Sequence, residues 1–211
     1  MQYIARRRPR SSAAAEASLR YPPDHKQRTR DRILVVSRRL FRRDGYDGVS
    51  LDTVMAAAGL TRGGFYKHFR SKADLFAEAM AGETDFVARM KARPGRSPEA
   101  LSRGALELVA GYLDPRNRER VGRGCDMAAL SVDVARAGKR ARRNHTRNVR
   151  ALVAEFERGL SDAASPDPRA LRALALCIGG LTIARALEDE ALAEAMLDAC
   201  QAAAEAELTS A

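Results

Sequence analysis

The chain has 211 residues, of which 45% are hydrophobic and 30% charged, with no Trp. That apolar fraction supports a packed core and excludes wholesale disorder, and no stretch approaches the roughly 18 apolar residues of a membrane span. The formal net charge of +10 lies entirely at one end: residues 1–72 hold 17 Lys/Arg against 6 Asp/Glu, and residues 73–211 hold 20 against 21. A basic module ahead of a neutral body suggests a polyanion at one end and a different ligand at the other, although charge alone would also suit an acidic membrane surface.

Residues 1–24, with Arg6, Arg7, Arg8, Arg10 and the Tyr21-Pro22-Pro23 run, read as a flexible basic arm. They lack the apolar core of a secretory signal, so a cytoplasmic protein with no membrane partner is expected. A first helix is predicted from Lys26 to Asp44, with Ile33, Val36, Leu40 and Phe41 on one face and Gly45 as its stop. Ser50 caps a second, short helix ending at Gly59, and Thr61 caps a third over Arg62 to Phe69. Ser71 with Asp74 forms a capping box for a fourth, which is expected to run on to Arg93-Pro94-Gly95. Ser97-Pro98 starts a fifth and Asp114-Pro115 ends it; Gly122 and Gly124 precede a sixth. Gly138 separates the sixth from a seventh, Asp167-Pro168 opens an eighth, and a break near Glu188-Asp189 leads to a ninth. The fold class is therefore all-α: a three-helix N-terminal domain over 25–72 and a helical body over 73–211.

Cys125, Cys177 and Cys200 are odd in number and far apart, and His25, His68 and His145 do not cluster. No disulfide framework, metal site or cofactor is expected. No GxSxG, Walker-type GxxxxGK or HExxH occurs, so no enzyme is expected.

Residues 51–69 read as short helix, glycine-containing turn, short helix. A helix-turn-helix has this form because its second helix enters the major groove while the first braces it. Ala56, Ala57 and Ala58 are small enough for close packing, Leu60, Phe65 and Phe69 face the core, and Arg62, Gly63, Gly64, Tyr66, Lys67 and His68 are left outside. Two adjacent glycines in a short helix each cost about 1 kcal/mol relative to Ala, a cost that close approach of backbone to DNA would explain. A loose surface turn is the plainer alternative.

From Arg32 to Ala79 the chain resembles the DNA-binding domain of tetracycline-repressor-type (TetR family) transcriptional regulators. Ile33-Leu34, Leu40-Phe41, Gly45-Tyr46, Ser50-Leu51, Ala58-Gly59-Leu60-Thr61, Gly63, Phe65-Tyr66, His68-Phe69, Ser71-Lys72 and Leu75-Phe76 carry the resemblance without a gap. It implies that Tyr66, His68 and Lys72 hold phosphates, with Ser50 and Thr61 adding contacts at helix starts. Arg62 and Lys67 would reach base edges, and Gly63 would admit the backbone. On their own, His68 also suits a core or capping histidine, Tyr66 a partly buried aromatic, and Lys72 a solvated helix start.

In the eighth helix, Leu171, Leu174, Ile178 and Leu181 form one apolar stripe, and Ala173, Leu176, Gly180, Ile183 and Leu187 another about 200° away. Two opposed faces mean burial on both sides: one against the body and one against a partner. The resemblance implies a homodimer joined by helices eight and nine, with Leu176, Gly180, Ile183, Leu187, Met196 and Ala199 in the interface; a helix buried inside a monomer is the alternative. It also implies a cavity for a small-molecule inducer between the middle helices. The candidate lining is Met80, Phe86, Met90, Leu106, Val109, Tyr112, Met127, Leu130, Val149, Leu152 and Phe156, each equally suited to plain core. Lys139, Arg140, Arg142, Arg143, Arg147 and Arg150 make either a solvated face or an anion-attracting entrance. Cys125 should sit in the first turn of the sixth helix, where the dipole and Arg123 would favour thiolate and Asp126 would oppose it; a sensor thiol and a small packed residue are the two readings.

The expectation is a homodimeric repressor released from a palindromic double-stranded DNA operator by an inducer. An activator of the same fold, a helical enzyme fused to a DNA anchor and a structural DNA-binding protein without sequence preference are the alternatives.

Overall fold

In a computed structural model of the chain, residues 23–162 and 165–210 are described. Among them every regular element is helical: α1 (Pro23–Gly48), α2 (Leu51–Ala57), a 3-10 turn (Arg62–Lys67), α3 (Lys72–Ala79), α4 (Asp85–Lys91), α5 (Pro98–Leu113), α6 (Asp126–Arg136), α7 (Lys139–Glu157), α8 (Pro168–Arg185) and α9 (Glu190–Thr209). Two further 3-10 turns, Pro115–Asn117 and Val121–Arg123, link α5 to α6. The predicted arm lies outside the described residues apart from its last two positions, which open α1.

Local chemistry sets most boundaries. The regular part of α1 ends where Gly45 takes a left-handed φ of 72°, a conformation that strains any side chain. Ser50, Ser71, Thr84, Ser97, Asp167 and Asp189 each accept a backbone N–H as helix caps. One predicted helix is broken in two, however. The expected run from residue 72 to 93 stops at Ala79 and restarts after Thr84, because α7 takes up the carbonyls freed there. Asn144 donates to the Ala77 carbonyl at 2.7 Å, Arg147 to Ala81 at 2.5 Å, and Asn148 to Met80 and Gly82 at 3.2 and 3.1 Å. Those bonds satisfy groups that a broken helix would otherwise leave buried and unpaired.

Two apolar clusters result. The first packs Ile33, Leu40, Phe41, Val54, Met55, Ala58, Phe65, Phe69, Leu75, Phe76 and Met80 around the helix-turn-helix, and draws in Leu130, Val134 and Ala141 from α6 and α7. Its aromatic centre has Phe76 edge-on to Phe41 at 5.1 Å and to Tyr46 at 5.0 Å. The second joins α4 to α9 through residues such as Met90, Val109, Leu152, Phe156, Leu174 and Leu197. Within it α8 and α9 approach so closely at Gly180 that an added Cβ would stand 2.7 Å from Cys200 Sγ.

The two clusters are joined electrostatically at Asp126, the first residue of α6. Its carboxylate is 5% exposed and receives Arg38 Nη2 at 2.7 Å on one oxygen and Arg42 Nη1 at 2.8 Å on the other. Arg42 Nε also donates to the Gly122 carbonyl at 3.0 Å. Removing one member of a buried pair leaves the other uncompensated, at a cost of about 3 kcal/mol or more, whereas an exposed pair such as Arg62–Asp52 contributes about 0–1 kcal/mol. Asp126→Asn should therefore lower the urea unfolding free energy by about 3 kcal/mol while Asp52→Asn barely moves it; equal midpoints for the two variants would show that the Asp126 joint carries no stability.

Candidate nucleic-acid interface

The second helix of the predicted reader is a 3-10 turn of six residues, not an α-helix reaching Phe69. Adjacent Gly63 and Gly64 favour helix poorly, and the segment closes with i to i+3 bonds such as Gly64 N to Thr61 O and His68 N to Phe65 O. Phe65 and Phe69, both buried, anchor its inner side. Of the three alanines at the end of α2, only Ala58, its C-cap, is buried; Ala56 and Ala57 face outward.

The outward residues form one surface. Gly63 has nothing within 4 Å of where a Cβ would stand, while the Cβ of residue 64 would touch Met55. Tyr66 is 63% exposed, resting edge-on against Phe65, which removes the buried-aromatic reading. Lys67 is exposed, and Arg62 is exposed but tethered to Asp52 at 2.7 Å. Thr61 caps the turn by position alone, its hydroxyl making no capping bond, whereas Ser50 Oγ already accepts from Thr53 N at 3.0 Å. Lys72 is not loosely solvated: its ammonium lies 4.3 Å from the centre of the Tyr46 ring. His68 is half-buried, with Nδ1 enclosed and unpartnered.

Sequence reasoning missed Arg30 and Arg70, which line a groove with Tyr66, Lys67 and His68. Arg30 lies over the Phe69 ring at 4.7 Å and pairs with Glu78. Burial, and then Lys26, Arg30 and Lys67, lower the His68 pKa below the ordinary histidine value. A surface that depresses a histidine with positive charge is one that a phosphate would relieve.

The middle helices hold a cleft of about 310 Å³ between α4, α5, α8 and the start of α6. Of the predicted cavity residues only Phe86 and Tyr112 line it. Met90, Val109, Met127, Leu152 and Phe156 are solid core, Leu106 and Val149 pack at its edge, and Met80 and Leu130 belong to the helix-turn-helix cluster. They fill space because α4 packs against both α5 and α7, and α8 against the same two helices. Arg89, Asn117, Arg123 and Arg185, which no apolar periodicity marks, supply the polar wall. The basic face of α7 stands apart from this cleft; Arg140 pairs with Asp74 and Glu78, and the remainder of that face is exposed.

Cys125 is the N-cap of α6 and not its first turn, and burial pushes its thiol above the ordinary range. Of the two readings of Cys125, burial favours the small packed residue: desolvation outweighs the hydrogen bonds from Tyr112 and the α6 backbone that would favour thiolate. Cys177, also buried, is pushed up to about 12. Gly180 is likewise moved from the predicted interface to the interior, since its neighbour is Cys200 of the same chain. Ile183, at 48% exposure, and Ala199 do face outward, while Leu176, Leu187 and Met196 are half-covered. Leu171, Ala175, Leu192, Ala195 and Ala202 extend that outward apolar face. Among the described residues no group of three His, Cys, Asp or Glu could hold a metal ion, and no helix is long and apolar enough to cross a membrane.

Two outcomes follow from the geometry of the turn. Gly63→Ala meets no atom of its own chain, so thermal unfolding should stay put or rise slightly while DNA affinity falls; a parallel loss of both would place the glycine's role in the fold. For His68, a folded pKa below the unfolded value means that stability is full above about 6.5 and declines as pH falls. Binding has the opposite sign, because a phosphate raises that pKa: DNA affinity should increase from pH 7.5 to 6, and the gradient should vanish in His68→Gln.

The arrangement has relatives. Residues 33–79 match the model of the bacterial regulatory proteins, tetR family. The chain is 50% identical over 52 residues to the HTH-type transcriptional regulator AcrR of Shigella flexneri, a match covering 25% of this chain and only 24% of that protein. It is 31% identical over 133 residues to the HTH-type transcriptional repressor Rv1474c of Mycobacterium tuberculosis, covering 57% of this chain and 71% of that one. In fold it resembles the reduced form of Escherichia coli NemR (TM-score 0.66, 19% identity, 83% of this chain and 94% of that chain). A TetR transcriptional regulator from Chloroflexus aurantiacus is similar in the same way (TM-score 0.64, 22% identity, 85% and 95%). With the helix-turn-helix matched by the family model and the body followed across most of the mycobacterial protein, the chain belongs to the tetR family of bacterial transcriptional regulators.

Proposed function

We propose that the protein is a homodimeric repressor that holds a palindromic operator and is released from it by a small organic ligand. The observation that carries the reading is the outward set on the 3-10 turn: Gly63, Tyr66 and Lys67, with Arg62 tethered only by an exposed ion pair. Ser50, Thr61, His68 and Lys72 flank them as phosphate grips, and Arg62 and Lys67 reach base edges. In this reading residues 25–72 are the reader and 73–211 the sensing and pairing body, with Leu130, Val134 and Ala141 crossing over to brace the reader. The direction, repression, is supported by the name of the mycobacterial relative. A cytoplasmic setting follows from a DNA substrate, and the reading includes no catalytic step.

Pairing is supported by the outward apolar face of α8 and α9, where Ile183 and Leu192 are about half exposed. A second copy related by a two-fold axis would cover it and set two readers at a fixed spacing, matching a palindrome. Sedimentation of the whole protein should give a dimer at micromolar concentration, and Ile183→Glu, which places a charge in that contact, should give a helical monomer. Footprinting on the DNA flanking its own gene should protect an inverted repeat against excess random duplex. A wild-type monomer, or equal competition by random duplex, would overturn the proposal.

A further inference from the structure

The cleft between α4, α5, α8 and the start of α6 is small, aromatic on one side and cationic on the other. Phe86 and Tyr112 stack at 4.6 Å with an interplanar angle of 19°, forming a flat wall. Arg89, Arg123 and Arg185 face the same space against one carboxylate, Asp85. None of these four makes an ion pair among the described residues, whereas Arg38, Arg42 and Arg118 nearby do. Arg185 is the inner one. Its Nε and Nη2 donate to the Asn117 carbonyl at 3.3 and 2.9 Å, while Nη1 is enclosed and has no partner.

A second polar group waits beside it. Tyr112 is only 8% exposed, and its hydroxyl has no nitrogen or oxygen partner, only the Cys125 thiol, a weak acceptor, beside it. A buried guanidinium with a spare N–H and a buried hydroxyl with only a weak sulfur acceptor are costly unless something accepts from both. Arginine stays protonated even where burial lowers its pKa, as it does here, so the missing group must bring negative charge as well as lone pairs. The room for the guanidinium is built in: a Cβ on residue 124 would stand 2.6 Å from Arg185 Nη2, so only glycine fits there without displacing it.

We propose that this cleft binds a small planar organic anion, its acidic group held by Arg185 and the Tyr112 hydroxyl and its ring lying on the Phe86–Tyr112 wall. The proposal rests on the reading of the body as a sensor and gives that sensor a ligand class. A volume of about 310 Å³ suits one or two fused rings, and the cationic rim disfavours a cationic ligand. The larger cavity near Tyr46 and Asp133 is a weaker candidate, because Asp133 already accepts from Tyr46 N and Arg140 is already paired. Drawing Arg185 toward a ligand also bears on the joint. Gly124 gives it room, Cys125 follows, and Asp126 next in line holds α1 through Arg38 and Arg42.

The test is calorimetric titration of the full chain with 2-naphthoate, the uncharged 2-naphthamide and the cationic 2-naphthylmethylamine. The acid should saturate one site per chain and bind at least tenfold more tightly than the amide, and the amine should not bind. Arg185→Met should erase the preference for acid over amide, Arg185→Lys should keep part of it, and Arg150→Gln on the outer face of α7 should leave it unchanged. Should Arg185→Met fail to fold, the comparison of acid with amide on the wild type decides alone. No saturable heat with the acid, an amide that binds as well, or a preference that survives in a folded Arg185→Met overturns the proposal. The regulator reading is tested separately by gel shift with and without 2-naphthoate. Specific DNA binding without naphthoate binding removes the site but spares the regulator. Naphthoate binding that leaves DNA affinity unchanged spares the site but removes its role as the sensor.

Discussion

The structure turns on one buried carboxylate. Asp126 opens α6, yet both of its oxygens are spent on α1, through two arginines one helical turn apart. A carboxylate is a rigid plane, so gripping α1 at two points fixes its rotation as well as its distance. The side-chain bonds from α7 to the carbonyls at the end of α3 hold a second helix of the same apolar cluster. The helix-turn-helix is thereby tied to both α6 and α7, and its apolar cluster includes residues of both. A shift of α6 or α7 would therefore act directly on α1 and α3.

What the sequence made legible was chemistry that is settled within a few residues. Gly45 as a stop, Ser50, Ser71 and Ser97 as caps and Asp167 before Pro168 all depend on neighbours within one turn, and all stand where expected. The break between α3 and α4 was not legible because its cause lies on Asn144, Asn148 and Arg147, more than sixty residues on in the chain. The continuous helical pattern through Met80, Phe86 and Met90 hid a gap that tertiary hydrogen bonds stabilise.

The sites divide in the same way. Exposure of Tyr66 and Lys67 follows from the spacing of Phe65 and Phe69, so the outward surface could be read from its inner anchors. The two-sided pattern of α8 announced two burials but not which face meets which neighbour, and Gly180 consequently moved from surface to interior. The cleft was least legible. Its walls are arginines and glycines from four elements, and apolar periodicity marks the residues that fill a core, not those that leave a space beside it.

The tight winding of the recognition turn has a consequence for how sequence can be read. A 3-10 helix brings residues three apart into register and rises about 2 Å per residue, so six residues span about 12 Å. Gly63 therefore sits in line with Tyr66, and Gly64 with Lys67. In each column one position is bare backbone and the other a single long side chain. Such a surface offers few side chains beyond Arg62, Tyr66 and Lys67 to meet base edges, so the width of the groove that admits its bare backbone would matter as well. Selectivity would then come in part from how readily a given stretch of duplex adopts that width. Base pairs that the protein never touches would then add to the discrimination made by those it does.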